Sequence, residues 1–317
     1  MHATNDASAA NRHIWLGVVA LVGCATLWSL SGPLIKLLDQ AGVSSITIAC
    51  YRSLFGGVIF LPLGFRKRQT LRNVALGWPI VAVLTFTLMT SCFVIATTQT
   101  AAANAIILQY TSPIWVFLLS PLLLRERLRL SDGLVLVLAM TGVGIILFGH
   151  ATSDAPVLLI GLASGLGYGT LTVALRGLRR VAPSTVVALN FLGSGLLLLP
   201  AVAIWGMFSL NGHQFVLVLI LSVVQMALPY LLFSWALQHV EAHRAALIVL
   251  LETVLNPLLT YLIIGEPVPT ATLVGGPLIL LSVVGWLLLT WRREVFTEHK
   301  KGAPLDVPFP QRSRSDR

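Results

Sequence analysis

The chain has 317 residues, of which 56% are apolar and only 10% charged, and its mean hydropathy is +0.87. A water-soluble domain carries about 25% charged residues, so the composition excludes an ordinary soluble globular protein and points to a lipid bilayer as the solvent. The net charge of +9 does not indicate nucleic acid, because the basic residues lie between apolar runs and form no recognised module or aromatic-interleaved basic face.

A membrane-spanning helix needs roughly 20 mostly apolar residues. Dividing the chain at its charge clusters and turn residues predicts ten, at 14–35, 44–65, 74–96, 101–124, 132–149, 156–175, 184–207, 215–237, 245–264 and 271–291. The first run follows Arg12 and His13 but exceeds signal-peptide length and lacks a small-residue cleavage site, so it reads as a retained span. Between the third and fourth spans, "TTQTAAAN" has to turn the chain without a charge or a proline. Residues 1–13 read as a cytoplasmic tail. Residues 292–317, polar, basic and proline-bearing, read as a second one anchored at an anionic lipid surface. Cys24, Cys50 and Cys92 sit inside apolar runs with no metal-type spacing, which fits small buried hydrophobes.

Lysine and arginine accumulate in cytoplasmic loops. With the N-terminus inside, 19 of the 21 basic residues fall on the cytoplasmic side. The two left over are Lys36, at the outer end of the first span, and Arg52, within the second. Both termini are therefore expected in the cytoplasm, the chain crossing a cell (inner or plasma) membrane.

Sliding the sequence by 140 positions aligns its halves. Glu126 in "LLLRERL" falls on Glu266 in "LIIGEPV", and the same offset pairs Trp28 with Tyr168, Lys36 with Arg176, Ala96 with Ala236 and Ser112 with Glu252. Each half, 14–149 and 156–291, holds five predicted spans. Five is odd, so the two copies enter the membrane from opposite sides. The expected fold is an all-α integral membrane protein of ten transmembrane helices in two inverted five-helix repeats, an arrangement characteristic of secondary transporters with a site near the midplane.

The segments "ATLWSLSGPLIK", "YRSLFGGVIFLPL", "AAANAIILQYTSPIWVFLLSPLLLRERL" and "AHRAALIVLLETVLNPLLTYLIIGEPV", in this order and in duplicate, resemble the EamA-like branch of the drug/metabolite transporter superfamily over residues 14–291. The resemblance implies a ten-helix carrier, often an exporter of amino acids, other metabolites or toxic compounds. One departure stands out: that family often has a proline directly after the carboxylate of the ninth span, whereas Thr253 follows Glu252 here and the proline is Pro257.

Charge within hydrocarbon costs at least about 2.5 to 3.5 kcal/mol at a helix centre, so intramembrane ionisable groups face a cavity or a partner. Arg52 and Glu252 are the two that qualify. Arg52 is eight residues into its span and Glu252 eight beyond Arg244, which puts each roughly 12 Å deep at 1.5 Å per residue. Under a functional reading Arg52 binds an anionic substrate group, and Glu252 binds an amine or takes up a coupling proton. Under a structural one they pair with each other or with backbone.

Trp28, Tyr51, Gln109, Tyr110, Asn190, Gln225, Tyr230 and Asn256 are candidates to line the same cavity, with helix packing or interfacial anchoring as their alternative role. Trp28 and Tyr110 lie in the most recognisable family segments. Of Pro33, Pro113, Pro229, Pro257 and Pro277, the hinge candidates are Pro113 and Pro257, whose helices also carry polar residues at depth. Gly161, Gly165 and Gly169 form a small-residue stripe for close helix packing. Glu126 and Glu266 read as interfacial caps or loop partners.

The sequence has no G-x-x-x-x-G-K-[ST] run for a nucleotide-driven pump, and no H-E-x-x-H or G-x-S-x-G motif. The expected function is a non-enzymatic, cofactor-free carrier of a small amphiphilic metabolite, gradient-driven or facilitative, with protons as a coupling ion under the functional reading of Glu252. The different-class alternative is a polytopic membrane enzyme or channel.

Overall fold

In chain order the helices are α1 (His2–Ser29), α2 (Ser31–Gln40), α3 (Ser45–Arg66), α4 (Gly77–Gln99), α5 (Ala102–Gln109), α6 (Leu130–Phe148), α7 (Ala155–Gly177), α8 (Pro183–Trp205), α9 (Gly212–Ile220), α10 (Leu228–Ala236), α11 (Leu251–Ile264) and α12 (Thr270–Ser282). This is a computed structural model, and it describes residues 2–72, 74–112, 114–115, 118–119, 130–149, 155–178, 180–236, 248–249, 251–282 and 284–285. Pro113, Glu126, Arg244 and the tail 292–317 lie outside the described residues. No strand occurs among those residues. Six helical stretches within them are long and apolar enough to cross a membrane: Trp15–Gln40, Ser45–Arg66, Gly77–Gln99, Ala155–Leu175, Pro183–Trp205 and Gly212–Phe233.

The first span differs from its predicted bounds. It continues past residue 35 to Gln40 and is broken at Leu30. Pro33 has no N–H to return to the carbonyl of Ser29, and its ring crowds that carbonyl, so α1 ends at Ser29, four residues before the proline. Leu30 N–H turns back to Leu27 O instead, at 3.2 Å. Lys36 does not end the helix because its charge is matched across the fold by Glu266.

The fourth span is also interrupted. α5 stops at Gln109, Tyr110 and Thr111 form a turn, and Thr111 donates its N–H to Leu108 O at 3.2 Å. By the same chemistry, a proline at position 113 has no N–H to offer the Gln109 carbonyl. Pro257, the other hinge candidate, sits inside the continuous α11. The eighth span runs from Gly212 to Ala236 with a π-helical turn, Leu221–Ala227, ahead of Pro229. Such adjustments re-satisfy backbone near a proline in a membrane helix.

The packing repeats under the 140-residue offset. α3 and α8, which are repeat equivalents, lie along each other, and α4 packs on α7 as α10 packs on α1. At the centre of this arrangement Phe191 stacks edge-on against Phe86 and Tyr230, with ring centroids 5.0 and 5.4 Å apart. Large apolar side chains such as Val58, Leu84, Leu197 and Leu262 stay exposed on the outside, as helices solvated by lipid require. Between such helices lipid provides no hydrophobic driving force, so close packing and interhelical hydrogen bonds hold them together.

Two sets of connections separate to opposite ends of the bundle. At one end Thr47 Oγ1 donates to Met207 O (3.2 Å), Gln214 Nε2 to Ala41 O (2.8 Å) and Lys36 Nζ to Thr100 O (2.8 Å). At the other, Ala182 N–H donates to Thr70 Oγ1 (3.1 Å) and Thr185 Oγ1 to Gly64 O (3.1 Å).

Candidate functional site

The breaks in the first and fourth spans and the π turn in the eighth converge on one cavity. It is lined by Trp28 and Ser31 from the first span, Arg52 from α3, Met89, Thr90 and Phe93 from α4, Gln109 and Tyr110 from the fourth span, Tyr168 from α7, Gln225, Met226 and Tyr230 from the eighth, and Glu252 from α11. Irregular backbone is tolerated at membrane depth only where protein or a water-filled cavity covers it, and here it borders this space. Thr90 and Tyr168 lie near the centres of α4 and α7, each 23 residues long. The 140-residue offset relates Trp28 to Tyr168 and Thr90 to Tyr230, so residues of both repeats meet around the same point.

The cavity has a volume of about 80 Å³. A single water needs roughly 10–15 Å³ by this measure, so the space takes several waters or a small polar group.

Tyr110 Oη donates to Glu252 Oε2 at 2.8 Å. Its ring meets Tyr168 edge-on at 6.4 Å, and Trp28 meets Tyr230 edge-on at 5.4 Å, so aromatic faces wall the carboxylate. Arg52 is only 5% exposed. Its Nε lies 3.0 Å from Met226 Sδ, a weak acceptor, and its Cζ is 6.0 Å from the Phe93 centroid. Arg52 Nη1 has no hydrogen-bond partner.

Arg52 and Glu252 share the cavity without a direct ion pair. Among the described residues, the pair within 4 Å is Lys36–Glu266. Gln225 Nε2 donates to the carbonyl of Trp28 at 3.2 Å, beside the helix break, and leaves Gln225 Oε1 unpaired. Thr90 Oγ1 is unpaired as well. Buried polar atoms normally find partners, so a guanidinium nitrogen, an amide oxygen and a hydroxyl left open around one cavity mark it as polar space able to receive a ligand.

Of the residues nominated from sequence, the structure brings Glu252, Arg52, Trp28, Tyr110, Gln109, Gln225 and Tyr230 together. It puts three elsewhere. Tyr51 donates to Phe208 O at 2.8 Å near the surface, because one residue along a helix from Arg52 points about 100° away. Asn190 is buried on α8, away from the cavity. Asn256 lies behind the cavity wall and donates from Nδ2 to Ser31 Oγ at 2.9 Å. Ser31, Met89, Thr90, Phe93, Tyr168 and Met226 were not nominated. Their one signal was the pairing of Tyr168 with Trp28 by the repeat.

A multi-pass helical protein with opposite charges and unpaired donors around a cavity at the centre of a duplicated bundle has the construction of a membrane transporter. Residues 15–148 and again 155–288 match the EamA-like transporter family, and the chain belongs to that family. An uncharacterized transporter of Archaeoglobus fulgidus is 28% identical over 264 residues, which span 83% of this chain and 93% of that protein. The uncharacterized inner membrane transporter YicL of Salmonella typhimurium is 26% identical over 281 residues, 84% of this chain and 94% of that one. One crystal structure, 19% identical, covers 90% of this chain and 99% of its own with a TM-score of 0.58, a likeness of fold alone.

Proposed function

We propose that this membrane transporter moves a small zwitterionic metabolite, an amino acid or a related amphiphilic compound, outward by alternating access. In this reading it has ten spans as two inverted five-helix repeats, 14–149 and 156–291, both termini lie in the cytoplasm, and it performs no chemistry on its cargo. The observation that carries the reading is the shared cavity of Arg52 and Glu252, opposite charges not spent on each other, with Arg52 Nη1 open. Arg52 receives a substrate carboxylate as a charge-assisted donor. Glu252 receives the ammonium group and, on the return step, a proton. Trp28, Tyr110, Tyr168 and Tyr230 flank the apolar part. The inner or plasma membrane of a cell is the expected location, and the YicL relative's description as an inner membrane transporter supports it.

The test is efflux or counterflow of labelled small amino acids from liposomes containing the purified protein, with mass analysis of what appears on the far side. Unchanged cargo is expected. A transformed product would point to an enzyme instead. Glu252→Gln keeps the side-chain shape and removes the charge, so transport should fall and lose its pH dependence while the protein elutes unaltered on size exclusion. Normal transport by Glu252→Gln across the pH range would sink the coupling role.

A further inference from the structure

Glu252 begins a polar stripe that leaves the cavity. Glu252, Asn256 and Thr260 recur every four residues on α11 and so occupy one helix face. Asn256 and Thr260 are almost fully buried, at 0% and 1% exposure. They face α2: Asn256 Nδ2 donates to Ser31 Oγ, and a Cβ placed on Gly32 would lie 2.5 Å from both Asn256 Oδ1 and Thr260 Oγ1. Asn256 Oδ1 has no partner. A polar residue serving only to glue two membrane helices would be expected to satisfy both ends of its amide.

Beyond Thr260 the stripe ends at an ion pair. Gly265, with φ of +74°, turns the chain at the end of α11. Glu266 then reaches Lys36 of α2, with Oε2 to Nζ at 2.7 Å. Glu266 Oε1 accepts the N–H of Ala102 at 2.7 Å, and Lys36 Nζ also donates to Thr100 O at 2.8 Å. One pair thus joins the outer end of the first span, the turn between α4 and α5, and the turn after α11. Glu252 to Ile264 spans about 18 Å, roughly half a bilayer, so the stripe reaches from the cavity to the end of the bundle.

We propose that the α2–α11 interface is the passage between the cavity and the membrane face opposite the N-terminus. In this conformation α2, hinged at the Leu30 break, closes the passage, and the Lys36–Glu266 pair latches it. The proposal rests on the transport reading given above, in which the cavity holds the cargo.

The test is a labelling rate rather than transport, so its failure is distinguishable from failure of the Glu252→Gln experiment. Thr260→Cys is introduced into full-length protein carrying Cys24→Ala, Cys50→Ala and Cys92→Ala, purified in detergent, and its reaction with a polar maleimide is followed by mass spectrometry. With the latch intact the reaction is slow. Glu266→Gln keeps an amide oxygen for the Ala102 N–H but loses the ion pair, and Lys36→Met removes the cation. Each should speed labelling about tenfold, whereas Lys36→Arg should leave it slow. Ser53→Cys, fully buried on α3 and away from the passage, should stay unreactive in every background. Unchanged labelling of Thr260→Cys without the latch overturns the proposal, and so does equal acceleration at Ser53→Cys, which would mean general loosening.

Discussion

At the scale of single residues, the site turns on how a carboxylate is held in a largely apolar bundle. Tyr110 supplies the one hydrogen bond to Glu252 recorded among the described residues, at 2.8 Å. A hydrogen bond to a charged group contributes about 1.5–3 kcal/mol. Tyr110→Phe removes it while keeping the ring that packs edge-on against Tyr168. Transport in liposomes should therefore drop roughly tenfold or more, at about 1.4 kcal/mol per decade, with folding intact. An unchanged initial rate would show that Tyr110 does not hold Glu252 during transport.

The residues legible from sequence were those whose chemistry conflicts with lipid, namely Glu252, Arg52, Gln109, Tyr110, Trp28, Gln225 and Tyr230. The walls made by Met89, Phe93 and Met226 were not legible, because an apolar side chain reads the same whether it faces lipid, a neighbouring helix or a cavity. Tyr51 failed for an angular reason: sequence gives depth to within a turn but not which side of the helix faces inward when polar residues are too few to define a stripe.

Among the elements, most spans were readable because hydropathy alone delimits them: 44–65 appears as Ser45–Arg66 and 184–207 as Pro183–Trp205. The breaks were harder to see. Proline position is visible in sequence, yet Pro33 breaks its span while Pro257 sits in an unbroken helix. What separates them is the surroundings rather than the proline itself. Beside the Leu30 break Gln225 supplies a donor to the Trp28 carbonyl. α2 then lies against α11 with only Gly32 between them and Asn256 and Thr260.

That contact yields a graded prediction. Gly32→Ala puts a methyl group where no space exists, and overpacking of this kind costs about 1–3 kcal/mol, so the unfolding temperature in detergent should fall. Gly23→Ala in α1 meets nothing within 4 Å and should hold or raise stability by about 0.5–1 kcal/mol through helix propensity. Equal melting of the two variants would show that α2 yields without cost.

For the whole molecule, duplication and charge bias are separate observations, and both support the proposed topology. The hydrogen bonds between connections sort them into two groups: residues 36–47, 100–102, 207–214 and 266 at one end, and residues 64–72 and 182–185 at the other. This is the alternation that successive crossings require. The second group carries Arg66, Lys67, Arg68 and Arg72, with Arg180 two residues ahead of its second segment, whereas the first has Lys36, already neutralised by Glu266. Basic loops stay cytoplasmic, so the second end should face the cytoplasm and the proposed passage should open away from it.

Single cysteines in a cysteine-free chain separate the orientations, provided each sits on an exposed connection. Thr70→Cys, beside the basic cluster, should resist an impermeant thiol reagent added to intact cells and react only after the membrane is opened. Ser209→Cys, in the turn after α8, should react from outside at once. The reverse pattern would invert the molecule and make the α2–α11 passage a cytoplasmic one. Reaction of both from outside would break the alternation itself, and with it the proposed inversion of the two repeats around the cavity.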